Sequence, residues 1–308
     1  MDLATIEPTN EFNYSVKIKM HKQAIFRSAT EIWKEFCGHR RGCMRLLPNG
    51  IQIIETNNAK NITCCFELYA ENLLIYSYDI RNSSGELLSY YPVSIDSKAL
   101  FGSIRPDSKN ESLYLRMYVS KCLMKNSGIF IAKSETDGAG IRASSDVITD
   151  PIALNTQFDY YSNHYKNVVP SAKIPMDTFK TTIARCKGVA CSIIEISLNS
   201  KGIVTLKGYL QSDISSGEAV PEIVKPFDDS FDYDDPLNDE RKFIPTSTII
   251  QMKDNESWLS KMNKLNADSV IHIYMSEKYP MVIKTDLGNY GIAFFTFAGI
   301  NPSKSDIY

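Results

Sequence analysis

No stretch of this 308-residue chain approaches the roughly 18–20 consecutive apolar residues that span a bilayer. The opening MDLATIEPTNEF has neither a basic n-region nor an apolar core, so it does not read as a secretory signal. Neither sign of charge is in excess: 34 Lys+Arg stand against 36 Asp+Glu, a net −2. That balance excludes a globally basic nucleic-acid coat, but not a basic patch on an acidic body. Hydrophobic residues at 43% and charged residues at 23% exclude a mainly disordered chain, and the length suits two domains.

Catalytic signatures are missing too. His21, His39, His164 and His272 form no HxH or HExxH, and none of the seven cysteines has CxxC spacing. Cys37, Cys43 and His39 could start a zinc site but lack a fourth ligand at usable spacing. Cys64 and Cys65 are neighbours on an expected strand and so point to opposite faces; thiols in a reducing, intracellular compartment are expected. There is no GxSxG, no GxxxxGK[ST] and no GxGxxG between strand and helix. Asp228, Asp229, Asp232, Asp234, Asp235, Asp239 and Glu240 crowd one stretch with Pro226 and Pro236. A two-metal centre needs carboxylates from several rigid elements, so this reads as a solvated acidic loop. The chain is expected not to be an enzyme and to hold no metal or cofactor.

What is present is an internal repeat. Ile25, Ala29, Ile32 and Phe36 share one face of a helix over 22–36, with Arg27, Glu31 and Lys34 opposite. Then come Cys43–Leu47, a Pro48-Asn49-Gly50 turn, Ile51–Thr56, and strands at Asn61–Tyr69 and Leu73–Ile80. The order recurs as strand Ala172–Pro175, helix Thr178–Lys187, strand Ser192–Leu198, a turn at 199–202 and strand Ile203–Leu210. It recurs again as a helix around Trp258–Leu265 followed by strands Ser269–Met275, Pro280–Thr285 and Tyr290–Ile300. A weaker copy runs from Val93 to Ile148, with a helix at Ser97–Arg105 and strands around Leu113–Ser120 and Gly128–Ser134.

These units predict an α+β fold: two similar domains, each of two β-α-β-β-β units, with helices on one face of antiparallel sheets. Thr149–Pro170, with Phe158, Tyr160, Tyr161 and Tyr165, reads as a long connector. The expected partition is a first domain at 1–150, a connector at 151–168 and a second domain at 169–308. Charge follows the repeat. The windows 20–41, 96–110, 176–188 and 252–266 carry +3, +1, +2 and +1, so the remainder of a chain of net −2 is strongly acidic. Equivalent helices presenting positive charge together suit phosphate backbones, which attract such a surface without sequence readout.

In these features the chain resembles DNA sliding clamps of the proliferating cell nuclear antigen type. Ile25-Phe26-Arg27 with Glu31-Ile32-Trp33-Lys34 resembles the first inner helix. Lys173-Ile174-Pro175-Met176-Asp177-Thr178-Phe179, with Ile194 and Leu198-Asn199-Ser200-Lys201-Gly202-Ile203, resembles the opening of the second clamp domain. Ser269–Met275, Tyr279-Pro280-Met281-Val282-Ile283 and Ala293-Phe294-Phe295 resemble the closing strands. The chain departs from the family at Thr296–Ile300, in a longer aromatic connector, in the acidic stretch 226–240 and in the extension 1–14. Such drift in a Lys/Asn/Ile-rich chain suits a large DNA virus or an AT-rich protist.

The resemblance implies a homotrimeric processivity factor that encircles double-stranded DNA, without sequence specificity and without a membrane partner. It would tether the replicative DNA polymerase and other replication proteins through short peptide motifs, in the nucleus or at a viral cytoplasmic replication site. A checkpoint-type heterotrimeric clamp subunit, a clamp-fold viral late transcription factor and a non-clamp interaction protein are the competing readings. The expected DNA-facing residues are Arg27, Lys34, Arg40, Lys98, Arg105, Lys180, Arg185, Lys187, Lys261 and Lys264. A partner-peptide pocket is expected at Thr56, Lys60, Ile62, Ile152, Leu154, Phe158, Pro280, Met281, Phe295 and Phe297, with Phe295 alone readable equally as core of the last sheet. Ring closure is expected through edge strands, with Ile129–Ser134 or Ser112–Val119 meeting Ile203–Leu210.

Overall fold

The computed structural model describes residues 14–21, 23–82, 84–104, 112–118, 127–134, 141–151, 170–199, 204–209, 219–224, 246–266, 269–275 and 280–297. The chain divides into two compact units. One comprises Met1–Asn58, Cys64–Asn155 and Leu287–Ala293, the other Ala59–Thr63, Thr156–Asp286 and Phe294–Tyr308.

In chain order the elements of the first half are β1 (Tyr14–Met20), α1 (Gln23–Cys37), β2 (Gly42–Leu47), β3 (Gly50–Thr56), β4 (Ile62–Tyr69), a 3₁₀ turn (Ala70–Asn72), β5 (Ile75–Tyr78), β6 (Tyr91–Ile95), α2 (Ser97–Ser103), β7 (Ser112–Tyr118), β8 (Ser127–Ser134) and β9 (Ile141–Pro151). Their strands lie in the order β4-β3-β2-β6-β9-β8-β7-β1-β5, antiparallel from β3 onward.

Helix α1 forms because Phe26, Ala29, Ile32, Trp33 and Phe36 repeat at helical spacing, and all five are buried. Each such Phe or Ile contributes roughly 1.5–3 kcal/mol by leaving water. The helix packs on β2 and β3. The Trp33 ring lies so close over Gly42 that a Cβ there would be 2.3 Å from it. Asp96 caps α2, its Oδ1 accepting from the amides of Lys98 and Ala99 at 2.9 and 3.1 Å. Cys64 and Cys65 are both fully buried, so both faces of β4 are covered.

The second half comprises β10 (Ala172–Pro175), α3 (Met176–Gly188), β11 (Ile193–Leu198), β12 (Val204–Tyr209), β13 (Ala219–Val224), β14 (Thr246–Gln251), α4 (Met252–Leu259), a 3₁₀ turn (Met262–Lys264), β15 (Val270–Tyr274), β16 (Met281–Asp286) and β17 (Gly291–Phe297). Strands β10-β15-β16-β17 are neighbours in that order, and β13-β12-β11-β14 form a separate four-stranded antiparallel sheet.

The structure changes several expectations. Strands β13 and β14 have no counterpart among the strands expected from periodicity. Strand β9 runs through Pro151, into the stretch read as connector; residues 152–169 of that stretch lie outside the described residues, as do residues 1–13 of the extension 1–14 and the acidic stretch 226–240. The last helix starts at Met252 and has ended by Leu259. Trp258, Leu259, Met262 and Leu265 are all buried, but they span a helix end and a 3₁₀ turn, so a helix-like apolar pattern continues past the α-helix itself.

The expected edge strands are also corrected. Strand β7 is flanked by β1 and β8, β8 by β7 and β9, and β12 by β11 and β13, so both edges of each are already hydrogen-bonded. Among the described residues the strands with an open edge are β5, β10, β13 and β14 at the ends of the sheets, and β9 over 141–148, which pairs there only with β8.

Candidate nucleic-acid interface

In the first unit, α1 and α2 pack side by side. Arg27 and Lys34, two turns apart on α1, converge on one ring of α2. The Arg27 Cζ is 4.4 Å and the Lys34 Nζ 4.5 Å from the Phe101 centroid. Arg27 Nε also donates to the Ile104 carbonyl at 2.9 Å, and Lys34 lies 3.6 Å from Glu35. Both cations are half-buried, so they weld two helices together as well as presenting charge.

Lys98 is exposed, its Nζ 3.2 Å from His39 Nδ1. Arg40 leaves the helix face: its Nη2 donates to the carbonyls of Thr56 at 2.6 Å and Phe36 at 3.4 Å and pairs with Glu55 at 3.4 Å, anchoring the end of α1 to β3. Arg105 lies outside the described residues.

In the second unit the basic face is cleaner. Asp177, Lys180, Thr181, Ala184, Arg185 and Lys187 are all exposed along α3, while Met176, Phe179, Ile183 and Cys186 are buried. Asp177 in the first turn and Arg185 and Lys187 in the last complement the helix dipole. The Met262–Lys264 turn packs against α3, bringing exposed Lys264 and half-buried Lys261 to the same helix. Sequence reasoning missed Phe101, which joins the two cations of α1. It also missed Arg41, which donates to the Ser94 hydroxyl at 3.2 Å and carbonyl at 2.9 Å. An aromatic amid basic helix positions was the only signal for the first.

The residues expected at a peptide pocket fall into two groups. Lys60 is exposed in a left-handed conformation, φ +57°, and Thr56 and Pro280 are half-buried. Ile62, Met281, Phe295 and Phe297 are core residues. Phe295 stacks on Trp258 at 4.8 Å and Phe297 lies 6.3 Å from the same ring, so the aromatic expected to meet a partner at 297 is spent inside the second unit. Ile152, Leu154 and Phe158 lie outside the described residues.

Burial governs the titrating groups near α1. It pushes the Cys37 thiol to about 12 and Cys43 to about 11, which leaves them poor nucleophiles and poor metal ligands. His39 turns to Lys98, and among the described residues no three His, Cys, Asp or Glu are placed to hold a metal.

Glu55 is also raised, by burial first, with Arg40 opposing. A carboxyl raised in the folded state binds its proton more tightly there than when unfolded. Its stabilising contribution is therefore present at low pH and is lost as pH rises above 4.5 through the folded value. Glu55→Gln should consequently gain stability relative to wild type between about pH 4 and about pH 7. Denaturant midpoints at both ends of that range check it; a constant difference refutes it.

Antiparallel sheets with a few packed helices, in two compact units, define an α+β protein with the fold of the DNA sliding clamps. More particularly, the chain is similar in structure to proliferating cell nuclear antigens. The PCNA2–PCNA3 complex from Sulfolobus tokodaii matches 92% of this chain and 98% of that one, with a TM-score of 0.62 at 15% identity. Proliferating Cellular Nuclear Antigen from Entamoeba histolytica matches 93% of this chain and 99% of that one, with a TM-score of 0.62 at 12% identity. No family model and no curated protein matches the sequence. Among the described residues, no helix is long and apolar enough to cross a membrane.

Proposed function

We propose that this chain is the subunit of a DNA sliding clamp, a non-enzymatic ring that encircles duplex DNA and tethers a replicative polymerase. The observation that carries the reading is a clamp fold covering more than nine-tenths of this chain and of both solved neighbours. Two features of the chain's own surface support it. The exposed stripe Lys180, Arg185, Lys187 on α3, with Lys264 beside it, offers long cations and no base-reading constellation, which is what sliding along phosphates needs. Open edges such as those of β9 and β13 can pair between successive copies, and closure into a ring through any two of the open edges covers both at once. Partner peptides are proposed to dock near Thr56, Lys60 and Pro280 and the connector residues Ile152, Leu154 and Phe158. One neighbour is a complex of PCNA2 with PCNA3, which favours a heteromeric ring as the second reading.

The cleanest test uses α3, because reversing Arg27 or Lys34 would also disturb the Phe101 contacts. Lys180→Glu with Lys187→Glu should leave the fold intact and lower the salt slope of duplex binding by roughly 0.9 for each phosphate no longer neutralised. Processive synthesis should fall in parallel. An unchanged slope with unchanged processivity overturns the DNA-facing role of α3. Sedimentation that finds only single chains, with DNA and without it, overturns the ring.

A further inference from the structure

Helix α3 ends in a Schellman turn. The Ala190 amide donates to the Lys187 carbonyl at 3.0 Å, the Cys191 amide to the Cys186 carbonyl at 2.8 Å, and Ala190 takes a left-handed φ of +55°. This motif folds the second residue past the helix cap back onto the last turn, and an apolar pair commonly meets there. Here both positions are cysteine, Cys186 at 1% and Cys191 at 5% exposure.

Below them lies Gly208 of β12, where a Cβ would sit 2.7 Å from each of the two sulfurs. Both sulfurs therefore occupy one niche over the Gly208 backbone and are no further apart than twice that distance. Neighbouring pairing keeps the niche in place. Gly208 faces Ile194 and Val220 in the sheet, and the Ser192 amide donates to the Tyr209 carbonyl at 2.8 Å. Cys64 and Cys65 differ in kind, because adjacent strand residues point to opposite faces.

We propose that Cys186 and Cys191 form a paired-thiol site that a peroxide oxidises to an intrachain disulfide, stapling the last turn of α3 to the segment entering β11. Cys191, the more exposed residue of the pair, attacks one peroxide oxygen through its sulfur as the thiol proton is released. The O–O bond breaks, the leaving hydroxide takes the released proton as water, and a sulfenic acid remains. Cys186 then attacks that sulfur. The S–S bond forms, the S–O bond breaks, and the hydroxyl leaves with the Cys186 proton as a second water. Two thiols and one peroxide thus give one disulfide and two waters. The staple lies between Arg185 and Lys187, so it fixes the end of the basic helix face; the thiol pair itself stands whatever that face binds.

The full chain treated with hydrogen peroxide, quenched, unfolded and alkylated should take up five labels instead of the seven its cysteines allow. Reduction with dithiothreitol should restore seven. Tryptic cleavage at Arg185 and Lys187 should leave Cys186-Lys187 linked to Gly188–Lys201. Cys191→Ser should take up six labels before and after oxidation. Seven labels after peroxide, missing labels at other cysteines, or sulfinic and sulfonic acids at 186 or 191 in place of the link would each overturn the proposal.

Discussion

Trp258→Ala should lower the stability of the protein by about 3–5 kcal/mol, the range for deleting a large aromatic from a packed core. Trp258 is 2% exposed and its ring lies nearly parallel to Phe295, at 4.8 Å and 13°. It also carries a polar chain inward: its Nε1 donates to Asn255 Oδ1 at 2.9 Å, and Asn255 Nδ2 donates to the Gln251 carbonyl at 2.7 Å. Asn255 is fully buried, so truncation opens a cavity and strips a buried amide of a partner at once. Trp258→Phe should keep the stacking and cost less. Denaturant melts at fixed protein concentration compare the two. A loss below about 1 kcal/mol for alanine would mean that the site collapses freely or is not packed as described. Phe297→Ala belongs with this pair as a stability variant, since its ring is in the same core.

Gly291→Ala should be of similar severity for a different reason. A Cβ at residue 291 would lie 1.8 Å from the Glu67 carbonyl oxygen and 2.8 Å from its carbon. Both obstacles are backbone, so no rotamer change relieves them, and the strand must move away. The hydrogen bond from the Tyr69 amide to the Tyr290 carbonyl, 2.9 Å, stands beside the clash and would be stretched. The expected cost is about 3 kcal/mol or more, read as a lower denaturant midpoint or as loss of folded yield. Gly102→Ala is the control. It lies within α2 with nothing inside 4 Å of its would-be Cβ, so alanine should stabilise by up to about 1 kcal/mol. Equal effects at 291 and 102 would show that the close strand approach does not exist.

The sequence by itself determined what local periodicity can encode. Apolar spacing set α1 and its buried side, the Pro48-Asn49 loop set the β2–β3 hairpin, and Pro175 followed by an acidic first turn and a basic last turn set α3 and its exposed cations. Repetition of these local units was enough to reach an α+β chain of two similar halves, while the clamp itself entered through the resemblance carried by residues 25–34, 173–203 and 269–295.

Tertiary structure decided what depends on partners distant in the chain. Which strands keep an open edge is a property of the whole pairing order, so β9 and β13 could not be told from β7, β8 and β12 by composition. Arg27, Lys34 and Arg40 read alike as basic helix residues. Only the fold sets two of them on Phe101 and ties the third to Thr56 and Glu55. Phe297 reads from the sequence as an aromatic available to a partner, whereas the fold buries it beside Trp258. Helical period is written in neighbours three and four residues apart, whereas edges, niches and charge pairing arise from contacts that local sequence does not contain.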